Sequence, residues 1–532
     1  MEKLRAIPHP LRGARGGFKM TKTSILTIDV GTSGAKTALW RDGARVGEAS
    51  QAYALTRPQA THAEISAETW WDAVIVTVRE AIRKSQIDPR EIAGIGVDGI
   101  GWTLIPVDKN GAPLHPAIIW LDRRAEEEAA WLRGLPNASE LVRLCANPLD
   151  AGYITPKLLW LKKRRPAVFD AAHMFLTCSG YITARLTGQM TCDFTQAYGY
   201  HFFDIARERW DENAADALGI PLGKMPRLMD CADIAGQLTP QAAAQLGLAD
   251  GIPVIAGCLD AAAGALGAGV TRVGHTNEQG GQAGGMAISL DKIVVEPRLI
   301  FSHHVLRGQY LLQGGTVGGG SLVWFKDILT ANWSDHSDGG QTNFEQFSRE
   351  AAGVQPGAGG LIFVPYMAGE RTPLWNSNAR GIFFGLSYAT TRAEMIRAMM
   401  EGCAFAVMDN IQIAAQSGAE AGEYLGSGGA TRSAVWCQIK ADVYGKPLVV
   451  AQCADGSEGG HLLGLYALTA QAVGLCPSAG AFVDGLLARR TTYEPSPKNH
   501  AYYKNLFEIY LSISRKALPE FDALAEIERN KK

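Results

Sequence analysis

The sequence predicts an α/β protein of at least two domains, each built on a β-sheet with a glycine turn. Three observations carry that expectation. The chain has 532 residues, too many for one ordinary core. Apolar, β-prone runs alternate with helical ones, the pattern of layered α/β structure. Glycine turns with strand-like flanks occur near residue 31 and again near residue 281, and a third precedes a late helix. The repetition reads as a duplicated unit with a cleft between the copies.

The first block runs from about residue 24 to 107. "SILTIDV" and "AKTALWRDG" form a strand pair across a Gly turn, and "EASQAYAL" is the expected third strand. "SAETWWDAVIVTVREAIRKS" is helical, with Trp71, Val74, Val78 and Ile82 on one face and polar residues Ser66 to Thr69 at its start. "IAGIGVDGIGWTLIPVD" is a buried strand and a glycine-marked bend.

The middle, about 125 to 245, is more helical, with aromatic loops. "IPVIAGCLDAAAGALGAG" then reads as strand, turn and small-residue helix. A second cycle opens near Gly274 with "HTNEQGGQAGGMAISL", and "SDHSDGGQTN" (334–343) is a polar surface loop. Thr391 and Glu394 form a capping box for the long helix that follows. Next, "EYLGSGGATRSAVWCQIKADVYG" supplies strand, turn and a helix with Trp436, Ile439 and Val443 on one side.

A composition of 47% hydrophobic and 20% charged residues is that of an ordinary soluble globular protein. A net charge of -2 gives no electrostatic case for nucleic acid or an anionic membrane as partner. No apolar run reaches the length of about 18 residues that a membrane span needs. Nine scattered cysteines without a CxxC pair point to reduced, mostly buried thiols and a cytoplasmic setting. The basic, Pro/Gly-broken start has no apolar signal region, so residues 1–22 are expected to be a disordered extension, with a start-codon artefact before Met20 or a transit-like segment as the alternatives.

Chemistry concentrates in four places. In "DVGTSGAKTAL", Gly31 and Gly34 let amides approach a phosphate, Thr32 and Ser33 add hydroxyls, and Asp29 suits Mg²⁺. The same turn also reads as a plain hairpin. Asp260 opens the small-residue helix, as a base for a substrate hydroxyl for which its small neighbours leave room, or as a helix N-cap. "LGSGGATRS" suits a nucleotide at a helix N-terminus or a tight strand-to-helix connection, and is not a Walker A sequence. Trp102, Asp122 and Arg123 suit a sugar, or a core ring and a surface ion pair; Trp120 reads as core.

The order of these motifs resembles the FGGY carbohydrate kinases from about residue 24 to 490. "GIFFGLSYATTRAEMIRAMME" (381–401) fits that family's second signature, and "PYMAGERTPLWNSNARG" and "GSGGATRSAVWCQIKADVYGKP" are similar to family segments. "GYITPKLLWLKK" (152–163) is similar to the first signature, with Ile154 where a small residue is usual. The resemblance implies two actin-like, ribonuclease-H-like domains with ATP and sugar in a cleft, a sugar or polyol as acceptor, Mg²⁺, and the homodimer common among similar kinases. It implies an N-terminal domain over 23–272, a C-terminal domain over 273–490 and a helical tail over 491–532.

By position, the resemblance makes Asp260 the base and Asp29, with Asp260, the metal-associated acid. Gly31, Thr32, Ser33 and Lys36 form the first phosphate site and Gly281 and Gln282 the second. Gly319, Gly320, Gly428 and Gly429 fall beside the nucleotide. Asp98, Gly101, Trp102, Asp122, Arg123 and Asp260 fall at the sugar.

Two departures stand out. The xylulokinase-like subgroup is the most similar by pattern, yet its Gly-Gln-Met-His-Gly run is "GIGWT" (99–103), with Trp102 in the place of His. The second phosphate turn reads Gly281-Gln282-Ala283-Gly284 and lacks the usual hydroxyl. The implied activity is ATP-dependent phosphorylation of a ketopentose such as xylulose, or of a related ketose or polyol. The alternatives are a catalytically weak sugar- or nucleotide-binding regulator of the same fold and an actin-like chaperone or filament protein.

Overall fold

The structure, a computed structural model, describes residues 23–330 and 343–530. The N-terminal extension and nearly all of the 334–343 loop lie outside the described residues. The chain forms two units. The first holds the residues up to Thr271 together with Ser302–Tyr310 and Gly459–Ala488, and the second holds the remainder.

The first unit is built on a seven-stranded sheet. Ser24–Val30, Gly34–Arg41 and Ala44–Ala52 form an antiparallel meander, and Ile92–Gly99 joins Ser24–Val30 in parallel. Pro253–Ile255 and Cys258–Leu259 then pair in parallel with Ile92–Gly99. Ser24–Val30 is buried along its whole length, so its apolar residues Ile25, Leu26, Ile28 and Val30 do not follow the strict alternation of a strand with one wet face. The third strand starts earlier than the apolar pattern indicates. Asp42 and Gly43, at φ 51° and 82°, close a two-residue hairpin that lets pairing begin at Ala44.

The helix Ala67–Ser85 buries Trp70, Trp71, Val74 and Val78 in the core that holds Ile95, Val97 and Tyr181. Its N-cap is Ser66, whose side chain makes no capping bond.

The helix Asp260–Gly267 is small-residued for a reason the sequence reading did not foresee. Instead of leaving room for a substrate, it packs against the helix His461–Ala472. A Cβ on Gly464 would overlap the carbonyl of Ala263, and one on Gly267 would overlap that of Gly460. Residues 459–488 therefore belong to the first unit, where the expected domain limits put them in a domain spanning 273–490.

In the second unit, Thr276–Gly280 pairs antiparallel with Ala283–Leu290 and parallel with Tyr424–Ser427, which lies parallel to Leu448–Gln452. Tyr310–Val317 lies beside Ala283–Leu290. This is the strand pairing of the first unit over again, so the duplication inferred from the glycine turns is present as topology. The long helix Arg392–Gln416 carries the expected capping box of Thr391 and Glu394. The helix Pro497–Lys516 packs Tyr503, Phe507 and Tyr510 around Phe405 of that long helix, so the tail is a structural part of this unit.

Among the described residues, no helix is long and apolar enough to cross a membrane. All nine cysteines are free, and all but Cys453 are buried.

Candidate active site

Three carboxyl groups come together at the carboxyl ends of neighbouring strands in the first unit, the end at which open α/β sheets bind ligands. Asp29 is in register with Asp98 on the adjacent parallel strand, and Asp98 is in register with Cys258, two residues before Asp260. Asp260 is the first residue of its helix, with Leu259 as N-cap, and accepts from the amide of Ala261 at 2.6 Å. The N-cap alternative for Asp260 is thereby set aside.

The environments of Asp29 and Asp98 differ. Burial pushes the Asp29 carboxyl up, but the hydrogen bond and charge of His461, helped by Lys36, outweigh it and leave the group below its ordinary pKa. Burial, then the charges of Asp29 and Asp260, push Asp98 well above the usual carboxylate range. Asp98 therefore holds its proton to higher pH than an ordinary carboxylate does. No protein N–H or hydroxyl donor reaches either of its oxygens, and Asp29 is the group that shares its proton.

His461 was not expected from the sequence. Its Nδ1 lies 3.8 Å from Asp29 Oδ2. Desolvation opposes its charge, yet the carboxylates of Asp29 and Asp260 raise its pKa above the ordinary histidine value. Its signal in the sequence was absent, because a lone His 432 positions from its partner carries no spacing pattern.

The first glycine turn is a hairpin whose backbone is pinned. The Gly31 amide donates to the Gly34 carbonyl at 3.0 Å, and the Tyr53 hydroxyl donates to the Gly31 carbonyl at 2.6 Å. The turn's remaining amides are those of Thr32 and Ser33, both at least partly exposed. Trp120 packs against the core, as expected, but its indole N–H also donates to Thr32 Oγ1 at 2.9 Å. With one lone pair so occupied, the Thr32 hydroxyl is free to donate outward. Lys36 is exposed and pairs in register with Asp29 on the next strand.

The residues assigned to the sugar divide into two groups. Gly101 and Trp102 follow directly on the strand that carries Asp98. Trp102 is buried at φ 48°, its ring 4.1 Å from that of Tyr153 and 6.0 Å from that of Tyr198. Lys157, inside the first signature, holds the bend: its ammonium donates to the carbonyls of Trp102, Ile119 and Gly152 at 2.6 to 2.8 Å. Burial pushes the Lys157 pKa down to about 7. Asp122, in contrast, is fully buried and accepts from the Ala63 amide and from the backbone and guanidinium of Arg124. Arg123 is ion-paired with Asp150. Asp122 thus serves the local architecture.

The second unit gathers its own glycine-rich stretches. The amide of Gly319 donates to the Gly281 carbonyl at 2.8 Å, and that of Gly320 donates to the Gln282 carbonyl at 3.0 Å. Those two amides are therefore occupied in holding the turn. Gly428, at φ 80°, lies against Gly280 and Gly281 so closely that a Cβ would come within 3.0 Å of that backbone. Gln282 and Gly429 are exposed. Beneath the turn, Lys440 is buried in an ion pair with Glu278 at 2.6 Å, so it is a structural cation. Ser433 caps the helix Ala434–Tyr444.

For magnesium, the donor chemistry fits. Among the described residues no three His, Cys, Asp or Glu side chains form a ready cage. Magnesium, however, is usually held through one or two carboxylates together with substrate phosphates and water. Asp29, ionised and with its buried Oδ1 lacking a partner, is such a carboxylate.

Comparison with known proteins agrees with this geometry. Residues 24–267 match the N-terminal domain, and residues 295–468 the C-terminal domain, of the FGGY family of carbohydrate kinases. The chain is 28% identical over 494 residues to a xylulose kinase of Bacillus subtilis (strain 168), covering 92% of this chain and 96% of that protein. It is also 28% identical over 513 residues to a gluconokinase of the same organism, covering 95% and 98%. The crystal structure of xylulose kinase from Rhodospirillum rubrum superimposes with a TM-score of 0.83 at 28% identity, covering 94% of this chain and all of that one. With its two family domains, its duplicated sheets and its carboxylate site, this chain belongs to the FGGY family of carbohydrate kinases.

Proposed function

We propose that this sugar kinase transfers the γ-phosphoryl group of ATP to a hydroxyl of a ketopentose such as xylulose, or of a related ketose or polyol. The observation that carries the reading is the grouping of Asp29, Asp98 and Asp260 at the strand ends, beside a turn whose Thr32 hydroxyl is set to donate.

Asp260 takes the proton of the substrate hydroxyl as its oxygen bonds to the γ-phosphorus. The bond from that phosphorus to the bridging oxygen breaks and ADP leaves. Thr32, the amides of the first turn and Lys36 bind phosphate oxygens, the positioning and charge stabilisation on which phosphoryl transfer depends. Asp29 would hold magnesium, which supplies neutralisation of phosphate charge when bound. Gly281, Gln282, Gly428 and Gly429 serve the nucleotide, with Gly319 and Gly320 as the backbone support of that turn. Gly101 and Trp102 serve the sugar. The buried free thiols suit a reducing, cytoplasmic setting.

One observation favours a second reading. Gln282 offers an amide where a hydroxyl is usual, which suits a weakly catalytic sugar- or nucleotide-binding regulator. Coupled ADP release with xylulose, ribulose, fructose, erythritol and glycerol separates the two. Stimulation by one of them supports the kinase; nucleotide binding without stimulation by any supports the regulator. In an active enzyme, Asp260→Asn is expected to lower kcat about 10³-fold and leave ATP affinity nearly unchanged in a binding titration. Substantial remaining turnover refutes Asp260 as the base.

A further inference from the structure

Gln196 lies in none of the motifs, yet it sits against the strand end that carries Asp98. Its Nε2 donates to the carbonyls of Gly99 at 3.0 Å and Ile100 at 3.4 Å. Both amide hydrogens face those carbonyls, so the opposite atom, Oε1, is left as a pure acceptor. That oxygen is buried and has no partner. It lies 4.0 Å from where a Cβ of Gly101 would be, with the Tyr198 hydroxyl on the same side. One residue on, the Trp102 indole N–H is buried and equally without a partner. Buried polar groups are nearly always satisfied, so unpartnered ones at a candidate site mark where ligand atoms are to come.

The segment is fixed in place. Asp193 caps the turn Phe194–Ala197 by accepting from the Gln196 amide at 3.0 Å, and Thr195 Oγ1 accepts from the amide of Leu259, next to Asp260, at 2.8 Å. Gln196 is thereby tied to the element that presents the proposed base.

Resting on the kinase reading above, we infer that Gln196 and Trp102 are the specificity pair of this enzyme: an acceptor and a donor that read hydroxyls of a neutral ketose or polyol and exclude a sugar acid. A hydroxyl both donates and accepts, so it satisfies either atom. A carboxylate accepts only, so the lone pairs of Gln196 Oε1 oppose it, as does the negative charge of Asp260 beside the Leu259 that Thr195 holds. The cations nearby are engaged, His461 with Asp29. Lys157 is committed to three carbonyls, Arg123 to Asp150, and Arg124 to Asp122 and Glu64. Lys36, in register with Asp29 on the next strand, faces the charges of Asp29 and Asp98.

The test compares kcat/KM for xylulose, ribulose, fructose, erythritol and glycerol with that for gluconate in the full-length enzyme. The best neutral substrate is expected to exceed gluconate by at least about 100-fold. Gluconate matching or exceeding it overturns the inference while leaving the kinase reading intact; no turnover with any of the six overturns both. Trp102→Phe keeps the ring and removes the N–H. It should raise KM for the best neutral substrate about tenfold, with kcat and the KM for ATP changed less than twofold. Gln196→Leu should move the same constant in the same direction. If that variant fails to fold, Trp102→Phe decides, and an unchanged sugar KM there refutes the pair.

Discussion

Asp29 and Asp98 face each other in register on adjacent parallel strands, and their surroundings push their pKa values in opposite directions. His461 and Lys36 hold the Asp29 carboxyl below its ordinary pKa against its burial, whereas burial and the charges of Asp29 and Asp260 push Asp98 well above the usual carboxylate range. The pair behaves as two roles drawn from one residue type by environment alone.

Asp98→Asn follows directly. A carboxyl whose folded pKa is raised above its unfolded value binds an extra proton in the native state, so its contribution is lost as pH rises past the unfolded value near 4. Asparagine carries no such penalty. The melting temperature of the variant relative to wild type should therefore be higher at pH 7 than at pH 4. A difference that is flat or reversed between those two pH values would show that Asp98 is ionised in the folded protein.

The two phosphate turns are expected to contribute unequally. Thr32 has its hydroxyl oriented by Trp120, whereas the second turn offers the exposed Gln282. Thr32→Ala should raise the KM for ATP by about five- to tenfold, the scale of one hydrogen bond to a charged group. Gln282→Ala should raise it less than twofold. Steady-state kinetics at saturating sugar measures both, and a larger effect at Gln282 contradicts the asymmetry.

The contact between the helices Asp260–Gly267 and His461–Ala472 tolerates no side chain at Gly464, where a Cβ meets backbone of Ala263. Gly464→Ala should destabilise the protein by about 3 kcal/mol in urea unfolding, the upper range for overpacking against groups that cannot yield. Gly247→Ala is the control for glycine loss in open space, at φ 72° with nothing near its Cβ position. It should cost less.

His304 is a buried neutral imidazole. Its Nε2 donates to the Val270 carbonyl at 3.0 Å and its Nδ1 accepts from the Leu306 amide at 3.2 Å, while burial pushes its pKa down to about 4. The unfolded chain takes up the proton near pH 6.5, so native stability falls as pH drops from about 6.5 to about 4. His304→Asn removes the titration. The wild-type melting temperature should fall relative to that variant across this window, and parallel curves would refute the neutral assignment.

What the sequence disclosed depended on how local the signal was. The turn at Gly31, the helix Ala67–Ser85 and the Thr391 capping box are written in contiguous residues, and each was legible. Gln196, His461 and the Trp120–Thr32 hydrogen bond join positions far apart in the chain, where no periodicity or spacing rule reaches. Asp122 misled for the opposite reason. The adjacent Asp122 and Arg123 do not pair: Asp122 is buried against Arg124 and the amide of Ala63, 59 residues earlier, and Arg123 turns to Asp150. The small residues after Asp260 were correctly noticed and wrongly explained, since their neighbour is a helix nearly 200 positions downstream.

The helix His461–Ala472 gives the first unit a particular history during synthesis. Its sheet, its phosphate turn and its three acids have all been synthesised once residue 271 is made, yet the face covered by this helix stays bare until residues 459–488 follow. Translation of nearly the whole second unit intervenes. The acid site is thus encoded in the first half of the chain and completed only near its end. A fragment ending at residue 272 is a nascent intermediate with an open apolar face, and a premature stop near residue 458 disables a site encoded hundreds of codons before it.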